Sequence, residues 1–443
     1  MLRPARRFYR RPGSRAAVVV LLIALSTVPT SLVLSARGGT KEPSTATEKT
    51  MASPADQEAV QGPGKVAIAT AGPAHLGDLL RTFQDPNTNG NSWFGYSIAA
   101  AGDDVLVGAP MNRAAYLFEG STGRLLRTYG TPATAKGRAF GWHVAAVGRN
   151  VLIGDMADET DGRMPDGRTT GRAYLFNGLT GELLHTLRNP QPNDYIAFGM
   201  PVAGMGDDRV LVGATFRDRS VGVVFLFDAV TGKMLQVFRK PKGPTKVNPM
   251  YSCITAIGER VLVNAPEDDT GAEGAGCVYM FDSATGKPLN TFLSPTPTAG
   301  DLFGNFVAAR GDNVLIAGAA TSDGKRTGAA YVFDARTGKS LRTYVNPTGK
   351  GRLSDQFGRC VAFVGNNVLV GVTLDATGAQ GAGAAYLFDG TTGKVLHKFV
   401  NPDPAVDARF GVQAAALGND IMIAAYGYGG KRPGAVYLFK GVD

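Results

Sequence analysis

The sequence predicts an all-β fold, a seven-bladed β-propeller of four-stranded antiparallel blades. A unit of about 53 residues recurs seven times from residue 78 onward, and such a period is typical of repeat architectures. Each unit offers four short strand-like segments, and the 59 glycines of the chain suit many tight turns. A unit too small to bury both faces of its own sheet must stack on its copies, and radial stacking produces a propeller.

The first two strands of each unit are marked by a Phe-Gly pair and an apolar run. The pair begins at Phe94, Phe140, Phe198, Phe303, Phe357 and Phe410, with 250–251 as a degenerate Met-Tyr copy. The run reads VLVGAP at 105–110 and recurs as VLIGDM, VLVGAT, VLVNAP, VLIAGA, VLVGVT and IMIAAY. Short β-branched runs between turn signals are typical of strands that are buried on both faces.

The third strand, a tight turn and the fourth strand complete the unit. The third strand reads AAYLF or a close variant, and the turn that follows reads EGSTGR, NGLTGE, DAVTGK, DSATGK, DARTGK or DGTTGK. An opening acid or asparagine and a late glycine predict a hairpin. The last unit lacks a fourth strand, whereas 77–83 supplies one before the first unit. We therefore expect 79–83 to pair with 435–439 and to complete the last blade, which removes an exposed edge.

The N-terminal part of the chain has the composition of a targeting segment. Residues 1–37 carry seven arginines and no acid around an apolar run at 16–34, which predicts a signal peptide or an N-terminal membrane anchor. Residues 38–76 are rich in Ser, Thr, Pro, Ala and Gly and predict a flexible spacer. We therefore expect the propeller to occupy 77–443 and to lie outside the cytoplasm, as part of a secreted, periplasmic or cell-surface protein.

Charge and cysteine content exclude two other classes of protein. The net charge is +9, but removing the seven N-terminal arginines leaves +2, too little for a nucleic-acid partner. The chain has only three cysteines, an odd number, which argues against a disulfide framework. We therefore expect buried thiols at Cys253, Cys277 and Cys360. We expect a monomer that contacts a membrane only through an uncleaved N-terminal segment.

The repeated pattern FG..VA..GD.VLVGAP, followed by GAAYLFD, resembles the FG-GAP repeat of integrin α-subunit propellers, and it is most similar to bacterial members. The resemblance covers 78–443 and implies extracellular recognition or adhesion. Calcium-binding members place D.D.DG..D between the first two strands of a blade. Here that hairpin holds only two or three residues in every unit, so no calcium site is carried over.

One stretch outside those hairpins looks like the start of a calcium loop. The stretch DPNTNGNSW at 85–93 has oxygen-bearing side chains at alternate positions. Its ninth residue is Trp93 rather than an acid, and Asp85 is its only charged residue. We therefore predict a polar turn between two blades.

A four-stranded meander sends all the tight hairpins to one face, the hairpin face, and every long loop to the other, the long-loop face. Loops on a rigid scaffold are where binding usually occurs. Our candidates on the long-loop face are Asp155, Asp158, Asp161, Glu267, Asp268, Asp269, Tyr426 and Tyr428. The alternative for the acids is pairing with local arginines such as Arg163 and Arg168. The tyrosines could instead cover the propeller rim, and Trp93 and Trp142 are expected to pack between blades.

We expect a non-enzymatic binding or adhesion propeller that recognises a protein or glycan, without catalytic residues, metal or cofactor. Four histidines, His75, His143, His185 and His397, show no metal-ligand spacing, and no nucleophile elbow or phosphate loop occurs. Two alternatives stay open. A propeller enzyme is suggested by TGK turns similar to those of pyrroloquinoline-quinone propellers, although the fourth strands lack the tryptophan of that family. A structural cell-surface component is the other.

Overall fold

The computed structural model describes residues 74–87, 91–161, 167–216, 222–241, 253–318, 327–348, 355–427 and 433–442. The chain divides into 1–69 and 70–443, and the first unit lies wholly outside the described residues. The predicted targeting segment, most of the spacer, the pair at 250–251 and Tyr428 also lie outside them. In the part of the chain that is described, no helix has the length and apolar character that a membrane span requires.

Seven antiparallel sheets form the propeller, so the predicted fold class is confirmed. A 3-10 turn at Pro110–Asn112 follows the third strand of the chain. The strands in chain order are β1 (Leu79–Gln84), β2 (Ser97–Ala101), β3 (Asp104–Ala109), β4 (Ala114–Glu119), β5 (Leu125–Gly130), β6 (Phe140–Val147), β7 (Asn150–Asp155), β8 (Arg172–Asn177), β9 (Leu183–Arg188), β10 (Tyr195–Ile196), β11 (Val202–Met205), β12 (Arg209–Phe216), β13 (Gly222–Asp228), β14 (Met234–Arg239), β15 (Ile254–Ile257), β16 (Arg260–Ala265), β17 (Cys277–Asp282), β18 (Pro288–Leu293), β19 (Phe306–Arg310), β20 (Asn313–Gly318), β21 (Ala329–Asp334), β22 (Ser340–Val345), β23 (Phe357–Val364), β24 (Asn367–Val372), β25 (Ala384–Phe388), β26 (Val395–Val400), β27 (Gln413–Leu417), β28 (Asp420–Ala425) and β29 (Ala435–Phe439).

Blades one to six follow the chain as β2–β5, β6–β9, β11–β14, β15–β18, β19–β22 and β23–β26. The extra strand β10 pairs with the end of β12 in blade three. Blade seven has the order β1-β29-β28-β27, so its outer strand comes from the N-terminal end of the propeller. Leu79 lies opposite Phe439, and Gln84 lies opposite Ala435. The Gly77 N–H donates to the Lys440 carbonyl at 2.9 Å, which extends this pairing.

Burial follows the position of a strand within its blade. The described residues of the second and third strands are almost continuously buried, as their apolar runs predict, whereas the fourth strands expose most of their side chains. One side chain in each fourth strand is the exception and is buried: Phe83, Tyr129, Leu187, Phe238, Phe292, Tyr344 and Phe399. The first strands of neighbouring blades contact one another around the whole ring, so they form its inner wall.

An aromatic contact recurs at six of the seven blade junctions. The buried ring of a fourth strand packs on the last phenylalanine of the third strand in the next blade, with ring centroids 5.0–5.7 Å apart. The phenylalanine of the Phe-Gly pair in the same blade packs edge to face on that ring, as in the 5.9 Å contact of Phe303 with Phe333. The junction pairs are Phe83–Phe118, Tyr129–Phe176, Phe238–Phe281, Phe292–Phe333, Tyr344–Phe388 and Phe399–Phe439.

The glycines of the repeat lie where the backbones of neighbouring blades touch. Gly141, in the Phe-Gly pair of blade two, has φ +87°, and a Cβ there would lie 2.2 Å from the Ala114 carbonyl oxygen of blade one. A Cβ on Gly108 of blade one would lie 2.2 Å from the Gly141 carbonyl oxygen. Both positions require glycine because a side chain on either would push two blades apart.

A polar contact joins the blades at the hairpin face. The third residue of a fourth strand reaches the third residue of the turn in the next blade. Arg81 donates to the Ser121 carbonyl at 2.6 Å, and Gln236 donates to the Ala284 carbonyl at 3.0 Å. The other three pairs are Arg127 with Leu179, His185 with Val230, and Arg342 with Thr391.

We predict that Gly141→Ala lowers the free energy of unfolding by roughly 2–5 kcal/mol, because it adds left-handed strain to a backbone collision. Gly102→Ala is the matched control: Gly102 also has positive φ, at +65°, but its added Cβ would have nothing within 4 Å. Strain alone should cost that variant about 1–2 kcal/mol. Denaturant unfolding of both proteins measures the difference, and equal losses would contradict a steric requirement between blades.

Candidate functional site

The acids of the long-loop face share one position in the repeat. Asp158, Asp268 and Asp375 each lie three residues beyond the second strand of blades two, four and six. Each carboxylate accepts the backbone N–H of the threonine two residues later, at 2.7 Å for Thr160 and 2.8 Å for Thr270 and Thr377. This Asp-x-Thr arrangement caps its own loop.

The second carboxylate oxygen of these acids points into the blade. Tyr174, on the third strand of blade two, donates its hydroxyl hydrogen to Asp158, and Tyr279 donates to Asp268 at 2.7 Å. Asp158 and Asp268 are fully buried. These two candidates therefore hold a loop to the third strand of their own blade rather than facing a partner.

Asp268 also forms an ion pair with the lysine that directly follows the fourth strand of blade three. The Lys240 ammonium lies 2.7 Å from Asp268 Oδ2. Burial alone would raise the pKa of Asp268, but the hydrogen bonds from Lys240, Thr270 and Tyr279 outweigh burial and lower it. Of its neighbours, Asp269 accepts the Gly274 N–H at 2.8 Å, and Glu267 is exposed on the loop.

Arg172 on β8 pairs with two of the blade-two acids, Asp158 and Asp161. Its side chain is 5% exposed, and its guanidinium donates from Nε to Asp161 at 3.1 Å and lies 3.8 Å from Asp158 Oδ1. The local arginine Arg163, named from the sequence, lies outside the described residues. The sequence did not single out Arg172, although it opens the third strand directly after the acidic loop.

Asp155 is a buried candidate whose carboxylate is incompletely satisfied. It ends β7 and is fully buried, and its Oδ1 accepts the N–H groups of Ala139 at 2.9 Å and Ala157 at 3.2 Å. Its Oδ2 has no hydrogen-bond partner in the structure as described. Burial, reinforced by the charge of Asp158, raises the pKa of Asp155 to about 6.

Tyr426 belongs to a cluster of four aromatic rings on the long-loop face, which also contains Trp93, Tyr96 and Trp142. Tyr426 lies 5.7 Å from Tyr96 and 6.1 Å from Trp93, between ring centroids. Trp142 lies 5.8 Å from Trp93 and 5.0 Å from Tyr96, between ring centroids. This aromatic cluster joins blades one, two and seven, and all its rings except Tyr426 remain partly exposed.

The residues that follow the Phe-Gly pairs start the inner strands at the long-loop end of the central channel. Arg359 occupies this position in blade six, and its guanidinium carbon lies 4.8 Å from the centre of the Phe306 ring. His143 directly follows Trp142 on β6, in the inner wall. Burial lowers the pKa of His143 to about 4. The described members of this set are Tyr96, Trp142, Met200, Asn305, Arg359 and Val412.

Asp85 shows how the stretch that resembles a calcium loop is used. Its Oδ1 accepts the Asn87 N–H at 2.8 Å, and its Oδ2 accepts the Asn112 side-chain amide at 3.0 Å. Residues 88–90 lie outside the described residues. Within the described ranges, no group of three or more His, Cys, Asp or Glu residues is placed to hold a metal ion.

The family model of the FG-GAP repeat matches residues 294–333 and 350–388. These segments contain the first three strands of blades five and six. No curated protein matches the chain. The repeat match and the seven-bladed fold together confirm that the chain carries FG-GAP repeats in a β-propeller, whereas its placement among the bacterial members stays a prediction.

We predict that Asp155→Asn flattens the pH dependence of stability. The pKa of Asp155 is about 6 in the folded protein and 3.8 ordinarily, so its favourable contribution is complete below pH 4 and is lost as pH rises to 6. The loss amounts to about 3 kcal/mol. The variant should therefore gain stability relative to wild type between pH 4 and pH 7 in urea unfolding. Asp155→Ala, which also removes the acceptor for Ala139, should be destabilised at both values, and parallel curves for Asp155→Asn and wild type would refute the assignment.

We predict that calcium leaves the melting temperature of the full chain unchanged, because the carboxylates of Asp85, Asp158 and Asp268 are used within the protein. A ligand at 100 times its dissociation constant would add about 2.7 kcal/mol, which a thermal melt detects. Millimolar calcium is compared with excess EDTA, and magnesium is the control ion. A saturable rise with calcium alone would show that a cation binds.

Proposed function

We propose that this FG-GAP propeller is a non-enzymatic recognition or adhesion protein that acts outside the cytoplasm and binds a protein or glycan through its long-loop face. The arginine-flanked apolar run at 16–34 supports export. The resemblance to integrin α-subunit propellers supports recognition rather than chemistry, although a fold by itself does not determine function.

The different use of polar groups on the two faces carries this proposal. On the hairpin face, Arg81, Arg127 and Gln236 are held by turn carbonyls of the next blade. On the long-loop face, the partly exposed rings of the aromatic cluster lie beside long loops of variable sequence. Aromatic side chains are enriched where proteins bind partners, because they bury a large area and lose little rotamer freedom.

The structure changes which of the candidate residues we propose for partner contact. Asp158 and Asp268 stabilise their own blades, and Asp155 is buried. Glu267 is exposed, and Tyr426 joins a partly exposed cluster. We therefore assign contact with the partner to the aromatic cluster and to exposed loop residues, and a supporting role to the buried acids.

We predict that the orientation of the immobilised protein decides whether it binds. Val230 on the hairpin face is 75% exposed, and Val406 on the long-loop face is 67% exposed, so the two form a matched pair of attachment sites. Val230→Cys and Val406→Cys are biotinylated at the new thiol and attached to a surface. The attached proteins are then probed with defined glycans and purified cell-envelope and matrix proteins.

Only the protein attached through Val230 should capture partners, because only that orientation leaves the long-loop face free. Wild type treated with the same reagent controls for labelling at Cys253, which is partly exposed. Equal capture in both orientations, or capture only through Val406, would contradict recognition by the long-loop face.

A further inference from the structure

We propose that the mouth of the central channel on the long-loop face binds a sugar that bears a carboxylate. In this site the aromatic cluster stacks on the sugar ring and Arg359 pairs with the carboxylate. The inference rests on the proposed function, since it names the class of ligand that the long-loop face takes. The site, called the channel mouth below, consists of Trp93, Tyr96, Trp142, Tyr426 and Arg359.

The repeat places Arg359 and the aromatic cluster at one level of the ring. Tyr96, Trp142 and Arg359 each directly follow a Phe-Gly pair, in blades one, two and six. Because the first strands contact one another around the ring, equivalent residues surround the central axis at the same height. The charge of Arg359 reaches Tyr96: burial raises the pKa of that hydroxyl, and Arg359 opposes the rise.

Arg359 is a partly buried cation without a counter-ion among the described residues. Its guanidinium carbon lies 4.8 Å from the centre of the Phe306 ring, and no hydrogen bond or ion pair joins the guanidinium to the described part of the chain. The contact with Phe306 can hold the guanidinium in place while leaving its N–H groups available. A guanidinium in this state suits a carboxylate, which it can bind through two parallel hydrogen bonds.

The aromatic cluster offers a rigid apolar surface at the same level of the ring as that cation. Neighbouring rings lie 5.0–6.1 Å apart, so each ring is held by contact with the other rings of the cluster. Rings that are already held in place lose little conformational entropy when a ligand binds. The C–H face of a pyranose is apolar while its edge is polar, so it matches ring faces bordered by hydroxyl and N–H groups.

Charge distinguishes this ligand class from the other ligands that aromatic clusters take. A cationic ligand, which ring faces alone would favour, is opposed by Arg359. A long nucleic acid is opposed by the nearly neutral propeller, because it requires many phosphate contacts. A small anion with a ring, such as a uronic acid within a glycan, satisfies both parts of the channel mouth.

Tryptophan fluorescence of the full chain reports directly on this site, because the chain has two tryptophans and both lie in the channel mouth. The protein is titrated with oligogalacturonate and, in parallel, with a galactose oligomer of the same length. Oligogalacturonate should produce a saturable change and bind at least about tenfold more tightly, since a hydrogen-bonded charge pair distinguishes the two sugars. The preference should decrease as salt is added.

Variants separate the charge from the stacking surface. Arg359→Gln should lower the affinity for oligogalacturonate about tenfold and leave the weak affinity for the neutral oligomer unchanged. Arg310→Gln is the matched control, because Arg310 ends β19 at the hairpin face and is exposed. Trp142→Ala should weaken the binding of both sugars, as measured by calorimetry. If this variant fails to fold, the Arg359→Gln titration alone tests the proposed site.

A silent fluorescence titration with oligogalacturonate overturns the inference, and so does an affinity that Arg359→Gln leaves unchanged. Tighter binding of a peptide with a free carboxylate than of any acidic sugar also overturns the ligand class. If orientation-dependent capture succeeds while the tryptophan fluorescence does not change, the proposed function stands and the channel mouth is not the binding site. If both experiments fail, the proposed function fails as well.

Discussion

The propeller depends on contact between aromatic rings of neighbouring blades. A four-stranded sheet of this length exposes too much apolar surface to be stable alone, so the junction must provide most of the burial. Each ring at a junction lies on the last phenylalanine of the next third strand, which its own Phe-Gly ring meets from another side. The phenylalanine thus contacts two blades at once. At the junction of blades two and three Leu187 takes this place, so a branched aliphatic side chain fills the same space.

Close backbone approach at the same junctions explains why the repeat consists of these residues. A Cβ on the second-strand glycine of one blade would meet the carbonyl of the Phe-Gly glycine in the next blade, as at Gly108 and Gly141, and a Cβ on Gly141 would meet the Ala114 carbonyl of blade one. Phenylalanine supplies the ring contact and glycine permits the distance at which the contact forms. The polar contacts of the hairpin face, such as that of Arg81 with Ser121, help to orient neighbouring blades at the exposed rim, where water weakens each hydrogen bond.

Much of the fold could be predicted from the sequence because each element recurs in register. The apolar runs that became second and third strands are buried as their patterns predict, and the structure pairs β1 with β29 over the residues named in advance. The polar contacts of the hairpin face were missed since their donors differ chemically, as arginine, histidine or glutamine, although they occupy one position of the fourth strand.

The candidate site could be predicted only in part. The loop acids were named because binding usually occurs on loops of a rigid scaffold, but Asp158 is buried and hydrogen-bonded to Tyr174, 16 residues away on another element. Local sequence gives no sign of such a bond. The aromatic cluster brings Trp93 and Tyr426 together although they are far apart in the chain, and only closure of the ring makes them neighbours. Single-residue reasoning placed Tyr426 on the correct face without its partners.

The pairing of β1 with β29 also determines how the protein carries a mechanical load. The chain enters the propeller at Gly77, on the hairpin face, and runs along β1 toward the long-loop face. When a ligand held at the long-loop face is pulled against the N-terminal end of the propeller, the tension runs along β1. The hydrogen bonds to β29 are then sheared together rather than opened one after another, and Phe83 must be dragged past Phe118 before the ring can open. The strand that completes the last blade is therefore also the one that resists force.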